Sequence, residues 1–477
     1  MNIVNVKRLL VGMAAMLLLA GCNNAKKQVS DEGESAEVAD TTARNTVAVL
    51  QNDSLRSDSI LRELRKKYEI WGFNEGVSVI CGGKCGLIDT AGNFIVPLKY
   101  DDARFTCEGM TAVCTGVKWG FIDKRGNEVV PPIYDDVDSF SYGMGAVKSN
   151  EKWGFVDRQG KLVIPIDYDN IVAFSEGRGA VSLNGKWGFY DTRGRLAIPL
   201  TYDNIGYVEK STFTCGVAQV CSDSKWGYID TVGNVVVPLK YAEVYPFAEG
   251  MAAVKAEGKW GFVDRTTGKE VVPVKYDNVK SFEGGLASVG LNGKMGFINK
   301  TGEETVPLIY NGSRCRFSDG LAAMSMNGKW GFVDTVGRVV IPFKYDFVYD
   351  FSDGMAHVSM RGKHGYIGKD NKAIVSVIYD DISQFYGNIA PAKSNNGKWG
   401  LVDRSGNVVM PFKCDYIGPF VRGIAAASQG RHWGCIDNKG KEVVPFIYDN
   451  VEGFQEDGRY LVYLKGEYVF LDVAAAE

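Results

Sequence analysis

The side chains able to do chemistry are few and unevenly placed. Ten cysteines stand at 22, 81, 85, 107, 114, 215, 221, 315, 414 and 435, beside three histidines, His357, His364 and His432. Thiols take lipids, pair as disulfides or hold metals, and imidazoles hold metals or move protons. The spacings narrow these choices. Cys81 and Cys85 bracket the turn Gly82-Gly83-Lys84, unlike a metal knuckle, and the histidines are read as lying in different repeats. No metal and no cofactor are therefore expected. Cys81 with Cys85 is the expected disulfide, because two chain directions face each other across that turn. Cys107 and Cys114 flank one strand, as do Cys215 and Cys221. About seven residues of strand span roughly 23 Å, too far for a disulfide to close. The sequence holds no Gly-x-Ser-x-Gly, no phosphate-binding glycine loop with Lys-Ser/Thr and no His-Glu-x-x-His. General acid–base work would fall to carboxylates. No pair of them stands out, so no catalytic residue is assigned and the chain is read as not an enzyme.

Cys22 has its own context. Lys7 and Arg8 precede an apolar run from Leu9 to Ala20, which ends in Leu19-Ala20-Gly21-Cys22. The run is too short for a membrane span, which needs about 20 apolar residues. It has the shape of a signal peptide over residues 1–21 and closely resembles the bacterial lipobox. The resemblance implies cleavage before Cys22 and lipid on that residue. Several acyl chains on one residue anchor stably, whereas one chain is marginal. Asn23 stands where an Asp typically retains such lipoproteins in the inner membrane, so the resemblance points to the outer membrane of the cell envelope. Residues 22–56 are polar, acidic and poor in aromatics, the composition of a disordered tether. Such a tether has an rms span of roughly 30 Å. Residues 57–67 are predicted as a short helix with Ile60, Leu61 and Leu64 on one face, capping the first copy of a repeat.

Residues 68–477 are organised by repetition. The segment Gly185-Lys186-Trp187-Gly188-Phe189-Tyr190-Asp191 recurs at spacings of 34 to 39 residues. Eight of the nine tryptophans share its Trp position, and Cys85, Met295 and His364 fill that position in three further copies. Pro follows twelve residues later and Tyr fifteen later, as in Pro199 and Tyr202, with Asp usually next. Pro273 fits once one extra residue is allowed in its turn. The longest spacing, Trp187 to Trp226, implies an enlarged loop near 207–212.

Each copy reads as strands and turns. Met251–Lys255 is a short apolar strand, Glu257-Gly258 a tight turn and Trp260–Asp264 a second strand. Asn184-Gly185, Asn292-Gly293, Asn327-Gly328 and Asn396-Gly397 mark the same turn elsewhere, and Asn-Gly suits the two-residue hairpin. Asp with Gly three residues on, as Asp157 and Gly160, predicts a type I turn closed by a left-handed glycine. A third strand begins at Val271-Val272-Pro273. Proline cannot donate to a ladder, so it marks an edge or bulge. The Tyr-Asp-x-Val segment predicts a fourth short strand.

Two columns invite functional readings. One Asp per copy, already used by its turn, is too few oxygens for a calcium loop. The Trp, Tyr and Phe columns could be sugar-stacking platforms but are read as core, since aromatics carry most of the burial of a small unit. On that reading Trp187→Ala costs about 3–5 kcal/mol.

Lys-Trp-Gly-Phe-Val-Asp, then Gly, then Val-Pro, then Tyr-Asp resembles the WG-repeat (KWG-repeat) family from about Tyr68 to Asp472. The resemblance implies an all-β repeat protein of 11 copies plus a partial C-terminal copy, and implies no activity. The expected architecture is a continuous superhelical array of small propeller-like β-units, with two fused β-propellers as the alternative. Net charge is −3 with mixed signs, so no nucleic-acid partner is expected. The functional expectation is a lipid-anchored, non-enzymatic scaffold binding an envelope protein or glycan. The alternative is a carbohydrate-binding or carbohydrate-hydrolysing lipoprotein.

Overall fold

The computed structural model describes residues 59–206, 212–454 and 459–471. The expected signal peptide, Cys22, the tether and nearly all of the enlarged loop lie outside the described residues. Among the described residues the chain is all-β apart from a helix over 59–65, which turns at 66–67. Ile60 and Leu61 lie against Gly92, in a turn of the first sheet.

Twelve antiparallel sheets are arranged in chain order, ten of four strands, one of five and one of three. Numbered from the N-terminus, unit 6 shows the pattern, with strands Glu243–Val244, Met251–Ala256, Lys259–Asp264 and Glu270–Tyr276 in that spatial order. The Tyr-Asp-x-Val segment supplies the short first strand and the Val-Pro segment the opposite edge, where a proline lacking an N–H is tolerated. Trp260 pairs with Tyr276 and Phe262 with Val272, so two residues oppose four and the Val-Pro strand bulges. The glycine after each tryptophan fits that bulge. A Cβ on Gly261 would sit 2.5 Å from the Val272 carbonyl oxygen.

The turns obey their chemistry. Asn184 and Gly185 both have positive φ, 52° and 75°, as the two-residue hairpin requires. Asn396-Gly397 differs: Lys393 pairs directly with Trp399, so one more residue enters the loop and only Gly397 has positive φ. Asp157 accepts the N–H groups of Gln159 and Lys161 on one oxygen, at 2.9 Å each, which closes the next turn. In unit 5 the longer insertion adds a strand, Phe213–Thr214, paired with Val217 and Ala218.

Units are joined face to face. Eleven buried clusters bridge the eleven junctions between consecutive sheets, from Val79 with Val113 at the first to Val444 with Val462 at the last. Among the described residues the run of junctions is unbroken and no sheet closes into a barrel, so this is the continuous array and not two separate rings. The aromatic columns divide their labour. The Phe column and, apart from Tyr134 and Tyr202, the Tyr column are buried, with Phe189, Phe262 and Tyr276 at 0% exposure. The Trp column is only half-buried, Trp260 excepted at 7%. Trp187, read from sequence as core, packs against the junction core from its rim, in the partly buried layer around Phe189 and Ile205.

Polar groups stitch the same junctions. Lys152 of the Lys-Trp-Gly segment donates to Asp169 of the following Tyr-Asp, while the other oxygen of Asp169 accepts the Asn184 N–H at 2.8 Å. The Lys and the N–H hold this carboxyl below its usual range. Lys84–Asp101, Lys118–Asp135, Lys186–Asp203, Lys259–Asp277, Lys329–Asp346, Lys363–Asp380 and Lys398–Asp415 repeat the contact. The Lys and Asp of the motif are therefore structural. A second stitch runs through the acidic turns. Glu108 accepts the N–H groups of Tyr142 and Gly143, both at 2.8 Å, and pairs with Arg158 at 2.9 Å.

Candidate binding site

Unit 9 departs from the pattern at several positions that fall together. In six units the second strand places an alanine opposite the Phe column, as Ala253 opposite Phe262. Unit 9 places His357 opposite Tyr366. It also has His364 at the Trp position and Phe347 in place of the usual Asx; Tyr349, in the loop before the second strand, stands where unit 6 has Tyr245. His364 is smaller than tryptophan, so the rim is lowered where His357 and Tyr366 add polar and aromatic bulk. The result is a cleft of about 830 Å³ spanning units 8 to 10. That volume falls within the range of small-ligand sites.

Aromatic rings line the cleft. Tyr349 stacks on His357 with centroids 5.2 Å apart and planes at 7°, and His357 stacks on Tyr366 at 5.3 Å. Phe347 meets Tyr349 edge-on at 5.2 Å. The two outer rings remain open to solvent, Phe347 at 42% and Tyr349 at 45% exposure. The Tyr366 hydroxyl donates to the Ser383 carbonyl of unit 10 at 3.0 Å, and burial pushes this phenol up to about 12. His357 Nε2 and His364 Nδ1 share one hydrogen bond of 3.1 Å. Burial, and then the neighbouring His364, pull His357 down to about 4. Its imidazole is neutral at pH 7.

Charged groups frame the rings. Arg314 lies over Phe347 and Tyr349, at 5.0 and 4.9 Å, and its Nε donates to the Val348 carbonyl at 3.0 Å. Asp350 pairs with Arg316 at 2.9 Å and lies 3.9 Å from Arg314. Asp353 pairs with Arg404 at 3.2 Å, and Asp381 accepts the Ile382 N–H at 2.8 Å. Each carboxylate of the cleft is committed to a cation or a backbone donor. Arg314 and Arg316 also line a second hollow of about 500 Å³ with Lys280 and Glu283 in unit 7. The two depressions share these arginines as their waist.

The residues singled out from sequence fall elsewhere or apart. Cys81 and Cys85 are joined as a disulfide, paired across the first hairpin with Cα atoms 4.1 Å apart. His357 and His364 are not in different repeats but in one hairpin, which corrects the reading from spacing. His432 lies two units on, at the start of strand His432–Asp437. Among the described residues no three His, Cys, Asp or Glu side chains converge on a metal position. Sequence reasoning passed over Arg314, Tyr349, His357 and Tyr366. Only His357 carried a clear signal, standing where most units place a small residue; Arg314 and Tyr349 occupy a column that varies along the chain, as Arg104, Lys280 and Tyr245 show.

A family model described as WG containing repeat matches eleven consecutive segments, 86–118, 119–153, 153–187, 187–226, 226–260, 260–294, 295–330, 330–363, 365–399, 399–431 and 433–468. No curated protein matches significantly. Among solved structures, a computationally designed protein, Ika8, is 16% identical over 58% of this chain and 96% of that one, with a TM-score of 0.25. The extracellular domain of a putative hybrid two-component system from B. thetaiotaomicron is 9% identical over 86% and 69%, with a TM-score of 0.23. PorZ, a surface component of the type-IX secretion system of Porphyromonas gingivalis, is 10% identical over 76% and 62%, with a TM-score of 0.22. Superpositions this partial carry no structural weight.

Proposed function

The chain belongs to the family of WG-containing repeat proteins, and on that premise we propose that it is a non-enzymatic binding scaffold whose recognition site is the cleft of units 8 to 10. The observation behind this reading is the coincidence of half-exposed Phe347 and Tyr349 with a cleft in a unit that breaks its own repeat pattern. The reading extends to an address: Cys22 carries lipid, residues 23–56 act as tether, and the array stands clear of the cell envelope's outer membrane while binding an envelope protein or glycan. The lipobox-like Leu19 to Cys22 supports that part. Hydrolysis is disfavoured because Asp350 and Asp353 are held by arginines and Asp381 by its own turn.

Two experiments test it. Cys22→Ala should lose the lipid mass and move the protein out of the detergent phase; a variant partitioning like the wild type rejects the anchor. Incubation with envelope glycans and envelope protein fractions should give binding that Tyr349→Ala weakens, without turnover. Cleavage of any glycan rejects the scaffold.

A further inference from the structure

Resting on the reading of the cleft as a recognition site, we infer that its ligand is a neutral oligosaccharide lying lengthwise across units 7 to 10. The first ground is shape. The hollow lined by Lys280 and Glu283 and the cleft lined by Tyr349 and His357 meet at Arg314 and Arg316. Packed sheets stand about 10 Å apart, so the path from unit 7 to unit 10 runs roughly 30 Å. That suits an extended chain better than a compact molecule.

The second ground is charge. The two hollows hold four cations, Lys280, Arg314, Arg316 and Arg404, and four carboxylates, Glu283, Asp350, Asp353 and Asp381. With His357 neutral the sum is zero, so nothing concentrates a polyanion or a polycation here. The third ground is the kind of groups left open. Phe347 and Tyr349 offer half-exposed aromatic surface, which meets the C–H groups of pyranose rings. Arg314 and Arg316 use Nε toward Val348 and Asp350, and their terminal nitrogens have no hydrogen-bond partner among the described residues. Planar guanidinium groups with spare N–H donors, beside carboxylates with spare lone pairs, suit paired hydroxyls. A site for a hydrophobic peptide would leave these groups unsatisfied on binding, at a cost.

Titration calorimetry of the full chain tests the assignment. The probes are linear neutral hexasaccharides of glucose, mannose and N-acetylglucosamine in α and β linkages, a uronate oligosaccharide of the same length, and neutral and acidic decapeptides. At least one neutral sugar should bind and lengthening it from two to six rings should tighten it. Tyr349→Ala should weaken that binding tenfold or more, while Arg104→Ala, in unit 2, leaves it unchanged. Preference for the uronate or a peptide, with the same sensitivity to Tyr349→Ala, overturns the ligand class and keeps the cleft. Sugar binding indifferent to Tyr349→Ala and His357→Ala overturns the cleft itself. Failure of every neutral sugar overturns the assignment.

Discussion

His357 and His364, seven residues apart in sequence, face each other at 3.1 Å across one hairpin, and one imidazole must be the donor while the other accepts. If both rings became imidazolium, two donors would face each other and like charges would meet beneath Tyr349. The bond needs at least one of the two rings to be neutral.

Stability should therefore depend on pH. The folded chain holds His357 near 4, pulled down by burial and by His364, whereas an unfolded histidine titrates near 6.5. Between these values the unfolded chain binds more protons, so stability rises with pH through the window and falls as pH drops from 6.5 to 4. Because the site is partly open to solvent, the effect is about 1 kcal/mol, well below the full shift. Urea denaturation at pH 7 and pH 4.5, compared between wild type and His357→Gln, isolates it from the carboxylates. Equal losses in the two proteins contradict the prediction. Asp381, Tyr349, Tyr366 and Arg404 are other titratable or charged groups around the pair.

Glu108 should matter more than its partner Arg158. Burial works against the charge of Glu108, but Arg158 and the N–H groups of Gly143 and Tyr142 outweigh it and hold the carboxyl below its usual range. Glu108→Ala removes the acceptor of two backbone donors and should cost about 1–2 kcal/mol. Arg158→Ala leaves both N–H bonds and should cost about 0.5 kcal/mol. Chemical denaturation of the two variants gives the order, and a larger loss for Arg158→Ala refutes it.

The half-buried rim position lowers the expectation for Trp187. Phe189, at 0% exposure, should cost about 3–5 kcal/mol on truncation to alanine. Trp187→Ala should cost about 2 kcal/mol, because part of its ring is already in water. In an array of neighbour-coupled units, the damage should appear as faster hydrogen exchange in units 4 and 5. Equal destabilisation by the two variants would mean the Trp rim is as tightly packed as the Phe column.

The disulfide at the first hairpin closes a very short loop. Loop-closure arithmetic for about five residues gives roughly 2 kcal/mol of stabilisation, so Cys81→Ser with Cys85→Ser should loosen unit 1. Hydrogen exchange over Val77–Asp89 measures it, and non-reducing peptide mapping of exported protein should recover a linked Cys81–Cys85 peptide. Both thiols recovered free would refute the pairing.

Much of the architecture was legible because its causes are local. Asn184-Gly185 asks for a left-handed pair, Asp157 with Gly160 closes a turn, and Pro165 refuses an inner strand. Each acts within a few residues, and repetition at a fixed period multiplied the signal. The role of the motif's own Lys and Asp was less visible. Lys152 and Asp169 lie 17 residues apart, and only the packing of one unit on the next brings the Asn184 N–H to the same carboxylate. The site was least visible of all. Arg314, Tyr349, His357, Tyr366 and Arg404 come from three units, and in sequence nothing local joins them. Stacking sheets about 10 Å apart brought them into one cleft. The sequence by itself determined the unit and its repetition, because turn and strand preferences act over short range. The tertiary structure alone decided which irregular residues meet, because that depends on how consecutive units bury their faces against each other.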